Sequence, residues 1–334
     1  MSQEKGSILN RRALLRLGAA SAVVTLASRP SRAQSSYPDH AVKLIVPRPA
    51  GGVVDIIARE WSNAVGNTFG STFIENVGGG GGTIGAALAA RATPDGYTLL
   101  FGTTSEMVLS PILPNLSYSI ASFEPIAIIC ESIASIVVNP SVPVTDLREL
   151  VAYAKSNPGR LSYGSAGAGT VSNLAGELFK RLTDTPDITH IPYRGGNPAM
   201  TDVIAGHIPI ATPMMSEAIL ALHQQGQIRI LAVASDRRLA AMPDIETAAE
   251  QGYPALIARL FVGLFAPAKT PAAIVAKVAE VTQEALQSSA LKERFAAAGF
   301  QVVADLDVAA VRRYLDEESA RSKPIVEQVG LQQE

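Results

Sequence analysis

The sequence predicts an α/β protein with mainly parallel strands, arranged as two domains around a cleft. Short apolar runs alternate with amphipathic stretches along most of the chain. Glycine and small hydroxyl residues gather just after the strands, at Gly51-Gly52, Gly102-Thr103-Thr104-Ser105, Gly164-Ser165-Ala166-Gly167-Ala168-Gly169-Thr170 and Arg194-Gly195-Gly196. In parallel α/β sheets a ligand sits beyond the carboxyl ends of the strands, beside the N-termini of the helices that follow. Those N-termini present unpaired N–H groups and a partial positive charge, which suit a carboxylate or a phosphate. One set of such loops in each half implies a cleft between two domains.

The elements follow in order. "VKLIVP" is a strand, and from Ile57 apolar residues recur at Trp61, Ala64 and Val65, one face of a helix. Between them, "VPRPAGGVVD" sets two ring-restricted prolines beside two unrestricted glycines, a backbone shaped to bring its own N–H groups close to something. "STFIEN" is a strand, "TIGAALAARA" a helix and "YTLLFGTT" a third strand. Thr145 is the expected cap of "DLRELVAYAKSNPG", which Asn157-Pro158-Gly159 stops. "LSYGSA", "ITHIPY", "HIPIAT" and "IRILAVAS" are strands, interleaved with helices at "VSNLAGELFKRL", "PAMTDVIAG" and "EAILALHQQG". Thr270-Pro271 opens a helical tail through "AAIVAKVAEVTQEALQ", "LKERFAAAG" and "VAAVRRYLDEESARSKPIVEQV".

The first 33 residues read as a cleavable export signal of the twin-arginine kind. Arg11-Arg12 precede a mildly apolar run from Leu17 to Ala27, and Ser31-Arg32-Ala33 places small residues correctly for a cut before Gln34. The apolar run is far shorter than the ~20 residues that span a bilayer. Cleavage removes six basic residues and one acidic residue, leaving 22 against 29 and a net charge of −7. An acidic export product without basic runs does not suit nucleic acid or an anionic membrane. Cys130 is the only cysteine, so no internal disulfide is possible, and it reads as core filler. Four scattered histidines form no metal-ligand cluster, so neither a metal nor a cofactor is expected.

Several stretches together resemble the Bug family, the solute receptors of tripartite tricarboxylate transporters: "IVPRPAGGVVDIIAR", "ENVGGGGGTIGA", "TPDGYTLLFGT", "NLAGELFK", "HIPYRGGNPAMTDVIAGHI" and "LFAPAKTP". The resemblance implies a type II periplasmic-binding-protein fold, two lobes joined by two crossovers and closing on a small carboxylate. The lobes are expected at 35–137 with 258–334, and at 138–257, with crossovers near Val138-Asn139-Pro140 and Leu260-Phe261-Val262. Carried onto this chain, the family's main-chain and hydroxyl ligands are Ala50, Gly51, Gly52 and Asp55 in lobe one. In lobe two they are Ala166, Gly167, Thr170, Ser172, Arg194, Gly195 and Gly196, with Thr103 and Thr104 at a third loop edge of lobe one. The chain departs from the family in having Arg48 where an aromatic is usual and Met214 where an aspartate is usual. That favours anions, or an apolar body near Met214. Expected partners are a small organic carboxylate and the membrane subunits of such a transporter, with a monomeric periplasmic protein between them. A stand-alone carboxylate sensor is the alternative.

Two motifs are weaker than they look. Gly80, Gly82 and Gly85 match GxGxxG, but a run of five glycines yields that match cheaply and no acidic residue follows at the right offset, so a structural turn is expected. "YGSAG" around Ser165 approaches a nucleophile elbow but lacks its first glycine, and no convincing His–acid pair follows; a hydrolase is the least favoured reading.

Overall fold

The computed structural model describes residues 37–331, apart from 114, 240, 241, 298 and 304–306. The expected export signal lies outside the described residues. The described residues from His40 onward form one compact unit. Its first half runs β1 (Val42–Val46), α1 (Val53–Val65), β2 (Thr72–Asn76), α2 (Thr83–Ala90), β3 (Thr98–Thr103), β4 (Phe123–Ile133) and β5 (Ser135–Val138). It continues through α3 (Leu147–Ser156), β6 (Ser162–Ser165), α4 (Val171–Thr183), β7 (Thr189–Pro192), α5 (Gly196–Ile204), β8 (Ile210–Ala211), α6 (Glu217–Gln224) and β9 (Arg229–Val233). The tail is β10 (Arg259–Pro267), α7 (Ala272–Gln287), α8 (Ser289–Ala297), β11 (Gln301–Val302) and α9 (Val308–Val329).

Two sheets carry two lobes. The first has six strands in the order β11-β4-β10-β3-β1-β2, the second five in the order β7-β6-β8-β5-β9. Parallel pairing holds where a helix crosses over: β1 with β2 and β3, β6 with β7 and β8. The sheets are nevertheless mixed. Strand β10 runs against both β3 and β4, and β5 runs against both β8 and β9. These returning strands were not separated in the sequence because β4 and β10 are buried on both faces and show no alternation.

The chain changes sheet at Ala134, between β4 and β5, and returns at Ala258, just before β10. Both points precede the expected crossovers, and residues 135–137 lie in the second sheet. Three alanines meet there. Ala134 N–H donates to the Ala258 carbonyl at 2.9 Å, Ala258 N–H to Ala234 at 3.0 Å, and Ala234 N–H to Ala134 at 2.8 Å. All three are essentially unexposed, so this ring of backbone bonds sits in the dry junction between the sheets.

Each lobe has its own core. In lobe one Trp61 lies fully buried against Phe69 and Phe101, and its Nε1 donates to Thr282 Oγ1 on α7. In lobe two Val137, Met200, Val203, Met215, Ile219 and Val233 pack together beneath α5 and α6. Helix α9 rests on β4 and also on α4 of the other lobe. Helix α3 is capped by Asp146, whose carboxylate accepts from Glu149 N–H at 2.7 Å. Thr145, the expected cap, instead bonds the Glu149 side chain through its N–H and hydroxyl.

Close packing in lobe two yields a test. A Cβ placed on Gly176 of α4 would lie 2.2 Å from the ring of buried Tyr163. Alanine ordinarily strengthens a helix relative to glycine by about 1 kcal/mol. Here the overpacked ring should reverse the sign, so Gly176→Ala is expected to lose roughly 1–3 kcal/mol in urea denaturation. A gain in stability would show that the ring has room to move.

Candidate functional site

A cavity of about 370 Å³ lies between the lobes. Its walls come from the loop after β1 and the start of α1 on one side, and from the loops opening α4, α5 and α6 on the other. Of the residues expected to form the site, Arg48, Gly51, Gly52, Ala166, Thr170, Ser172, Gly195, Gly196 and Met214 line it. The lobes touch across it: Asn197 Nδ2 donates to the Gly51 carbonyl at 3.3 Å, and Val171 N–H to Ser105 Oγ at 3.3 Å.

Helix ends around the cavity differ in how their N–H groups are satisfied. At α4, Thr170 Oγ1 accepts from Asn173 N–H, while Ser105 of the other lobe takes Val171 N–H. At α6, Ser216 accepts from Ile219 N–H. Helices α1 and α5 begin at Gly52 and Gly195, and neither has a side-chain cap. Glycine offers no capping oxygen, so first-turn amides of α1 and α5 are left for another acceptor. These two ends come from opposite lobes and both line the cavity.

The loop before α1 is held by Asp55. Its Oδ2 accepts from Gly51 N–H at 2.8 Å and from Arg59 Nε at 2.9 Å, and its Oδ1 from Asn76 Nδ2 at 2.9 Å and Arg59 Nη2 at 3.2 Å. Asn76 Nδ2 also donates to the Arg48 carbonyl. Asp55 is 1 % exposed and turned into the protein, so it shapes the loop and does not reach the cavity. Gly51 takes φ +75°, a left-handed conformation that side chains resist, and its amide is already spent on Asp55. Burial alone would raise the Asp55 pKa, but the donors from Arg59, Gly51 and Asn76 outweigh it and hold the carboxyl below the usual range.

Arg48 is neither a free cation facing the cleft nor a solvated one. Its guanidinium pairs with the fully buried Glu106 and donates to the Pro47 carbonyl at 2.8 Å. Glu106 Oε2 accepts from Thr103 N–H and Thr103 Oγ1, while Oε1 meets the guanidinium without a well-directed hydrogen bond. Gly82 closes over the pair at φ +102°, and a Cβ there would strike both Glu106 Oε1 and Arg48 Nη1. The glycine run is therefore a structural turn, needed for this close approach.

Five other expected residues stay out of the cavity. Thr103 is engaged with Glu106, and Thr104 Oγ1 accepts from Phe261 N–H at 2.9 Å. Ser105, one residue on, reaches the cavity where the chain turns into the irregular helical segment Ser105–Leu109. Gly167 donates its N–H to Ser165 Oγ, and Ala50 and Arg194 face solvent. The sequence reading missed Val53, Val54, Ser105 and Asn197, and also the apolar residues Met200, Ile204, Ile219 and Leu222. The spacing of Asn197, Met200, Thr201 and Ile204 along one helix face was the available signal.

The fold also brings His190 to Ser165, with Nε2 and Oγ 2.7 Å apart. Ser165 is 1 % exposed and outside the cavity, and its hydroxyl is tied to Gly167. Burial pushes the His190 imidazole below its usual range. The Ser165 hydroxyl is thus held by His190 and by the Gly167 backbone, away from this cavity. Among the described residues no His, Cys, Asp or Glu group could hold a metal ion, and no helix is long and apolar enough to cross a membrane.

Two measurements probe these buried charges. Arg48→Met alone strands Glu106 and should cost about 3–5 kcal/mol in chemical denaturation. Arg48→Met with Glu106→Gln should recover most of that loss; equal losses would remove the pair as the cause. Asp55 has a folded pKa below its unfolded value, near 3.9, so its contribution is complete above about pH 4 and lost as pH falls through the folded value. Asp55→Asn should therefore melt below the wild type at neutral pH, with the gap narrowing below about pH 4. A gap constant with pH would contradict this.

Comparison with known proteins bears on the same frame. The family model described as tripartite tricarboxylate transporter family receptor matches residues 57–331. Protein BugT of Bordetella pertussis is 31 % identical over 300 residues, covering 88 % of this chain and 91 % of that protein. MatC from Rhodopseudomonas palustris, solved with bound malate, is similar at 29 % identity with a TM-score of 0.82, covering 87 % of this chain and 100 % of that one. A second R. palustris protein, solved with adipate, is similar at 28 % identity with a TM-score of 0.84, covering 88 % of this chain and 99 % of that one. Extent of match and shared fold agree: this chain belongs to the tripartite tricarboxylate transporter receptor family.

Proposed function

We propose that the protein is an exported receptor that holds a small carboxylate between its lobes and delivers it to the membrane subunits of a tripartite tricarboxylate-type transporter. The observation that carries this reading is the pair of uncapped helix ends, α1 and α5, opening from opposite lobes into one cavity. A carboxylate placed there accepts from amides of both lobes and so favours the arrangement in which they meet. That is a population shift toward the shut form. Each hydrogen bond to a charged acceptor contributes roughly 1.5–3 kcal/mol, and a few of them, offset by desolvation, suffice for micromolar binding near −8 kcal/mol. Arg48, already neutralised by Glu106, supplies no arginine clamp, and the helix-end amides take that role. Release to a permease then breaks no buried ion pair.

The family and the carboxylates bound by MatC and the adipate-bound protein support this chemistry. The reading assigns the protein binding without turnover, in the periplasm, after removal of the segment ending at Ala33. Hinge movement is assigned to the ring formed by Ala134, Ala234 and Ala258, where both crossings of the chain converge.

The amide at position 196 allows a direct test. A Cβ on Gly196 would meet nothing within 4 Å, and its φ is not in the left-handed region. Gly196→Ala should retain carboxylate affinity within a few-fold by calorimetry. Gly196→Pro keeps the helix, since proline is tolerated at its first position, but deletes one donor. It should weaken binding at least tenfold, as about 1.5–3 kcal/mol per charged hydrogen bond requires. Equal affinity for both variants would take the α5 N-terminus out of the site. Delivery is tested separately, by whether uptake in cells carrying the membrane subunits requires this receptor.

A further inference from the structure

Beyond its two helix ends, the cavity continues as an apolar chamber. Met200 and Ile204 on α5 face Ile219 and Leu222 on α6, and Pro213 and Met214 join them. On α5 the lining residues Asn197, Met200, Thr201 and Ile204 form one stripe, which leads from the uncapped N-terminus for about 12 Å along the helix. One end of the space is therefore polar and the other hydrocarbon-like, within a single continuous volume.

The charges in that volume are equally uneven. Arg48 is the only ionisable residue among those lining it, and its charge is cancelled by Glu106 at the polar end. At the chamber end, Ser216 takes the Ile219 N–H at the start of α6, and Glu217 adds a negative charge in the same turn. A second carboxylate carried between these apolar walls would lose part of its hydration and find no cation among the lining residues. An apolar body would displace water from apolar walls and gain by doing so.

We infer that the receptor selects a monocarboxylate with an apolar hydrocarbon body, the carboxylate at the α1 and α5 ends and the body between α5 and α6. This rests on the carboxylate-receptor reading above and narrows it. A ligand charged at both ends, or a short hydroxylated diacid, is disfavoured by the same walls.

Calorimetry on the full chain with octanoate, octanedioate and malate decides the matter. Octanoate and octanedioate share a chain length and differ in the far terminus alone. Octanoate should bind at least tenfold more tightly than octanedioate, and shortening it toward butanoate should cost about fourfold per methylene. Octanedioate or malate binding as well as or better than octanoate overturns the selectivity while leaving the carboxylate receptor standing. Binding of no carboxylate at all overturns both. The variant Ile204→Arg locates the body. Ile204 is 38 % exposed, so a longer polar side chain can be carried there without emptying the core. The new guanidinium should raise octanedioate affinity relative to octanoate at least tenfold. An unchanged ratio, with octanoate still bound, would place the hydrocarbon somewhere other than between α5 and α6.

Discussion

Everything in this molecule is organised by the place where three alanine amides close a ring. Ala134, Ala234 and Ala258 each give one hydrogen bond and receive one, and their methyl groups leave the three backbones close enough to do so. The ring satisfies main-chain groups that would otherwise be orphaned where strands leave one sheet for another. It also stands where β5 and β10 begin, at the two points where the chain passes between the sheets. Larger side chains at these unexposed positions would have to push the crossing strands apart.

From that frame follows an electrostatic arrangement that is economical with permanent charge. The buried cation at the cavity, Arg48, has its own buried anion. What the cavity offers a ligand is directional partial charge at helix ends, held in place by Asp55 on one side and by close backbone approaches on the other. A Cβ on Gly195 would press on Pro49 at 3.3 Å, and one on Gly81 would strike the Ala168 carbonyl at 2.6 Å. The polar chemistry is therefore set by backbone geometry, and the apolar chemistry by side chains of α5 and α6.

Much of this was legible in the sequence. The alternation of strand and helix, the glycine-rich loops after β1, β6 and β7, and the family resemblance together gave the two-lobe α/β frame and nine of the cavity residues. What escaped was information that only long-range contact supplies. Arg48 and Glu106 are separated in sequence by α1, β2, α2 and β3, and nothing local marks them as partners. Thr103 and Thr104 look as suitable as Ser105, but the irregular turn after β3 points Ser105 across the gap and folds the other two inward. Asp55 reads as a helix-start carboxylate that could meet a ligand; its four donors show instead that it builds the loop. The chamber between α5 and α6 was hidden for a different reason. Its residues have the ordinary spacing of a core-facing helix, and only the cavity distinguishes lining from packing.

The bonds from Asn197 to Gly51 and from Val171 to Ser105 cross between the lobes and involve no cargo. A net hydrogen bond contributes about 1 kcal/mol, or roughly a fivefold bias in an equilibrium. Two of them favour contact between the lobes with nothing bound in the cavity. The contact between the lobes is therefore built partly into the protein itself, through one side-chain amide and one helix-start N–H.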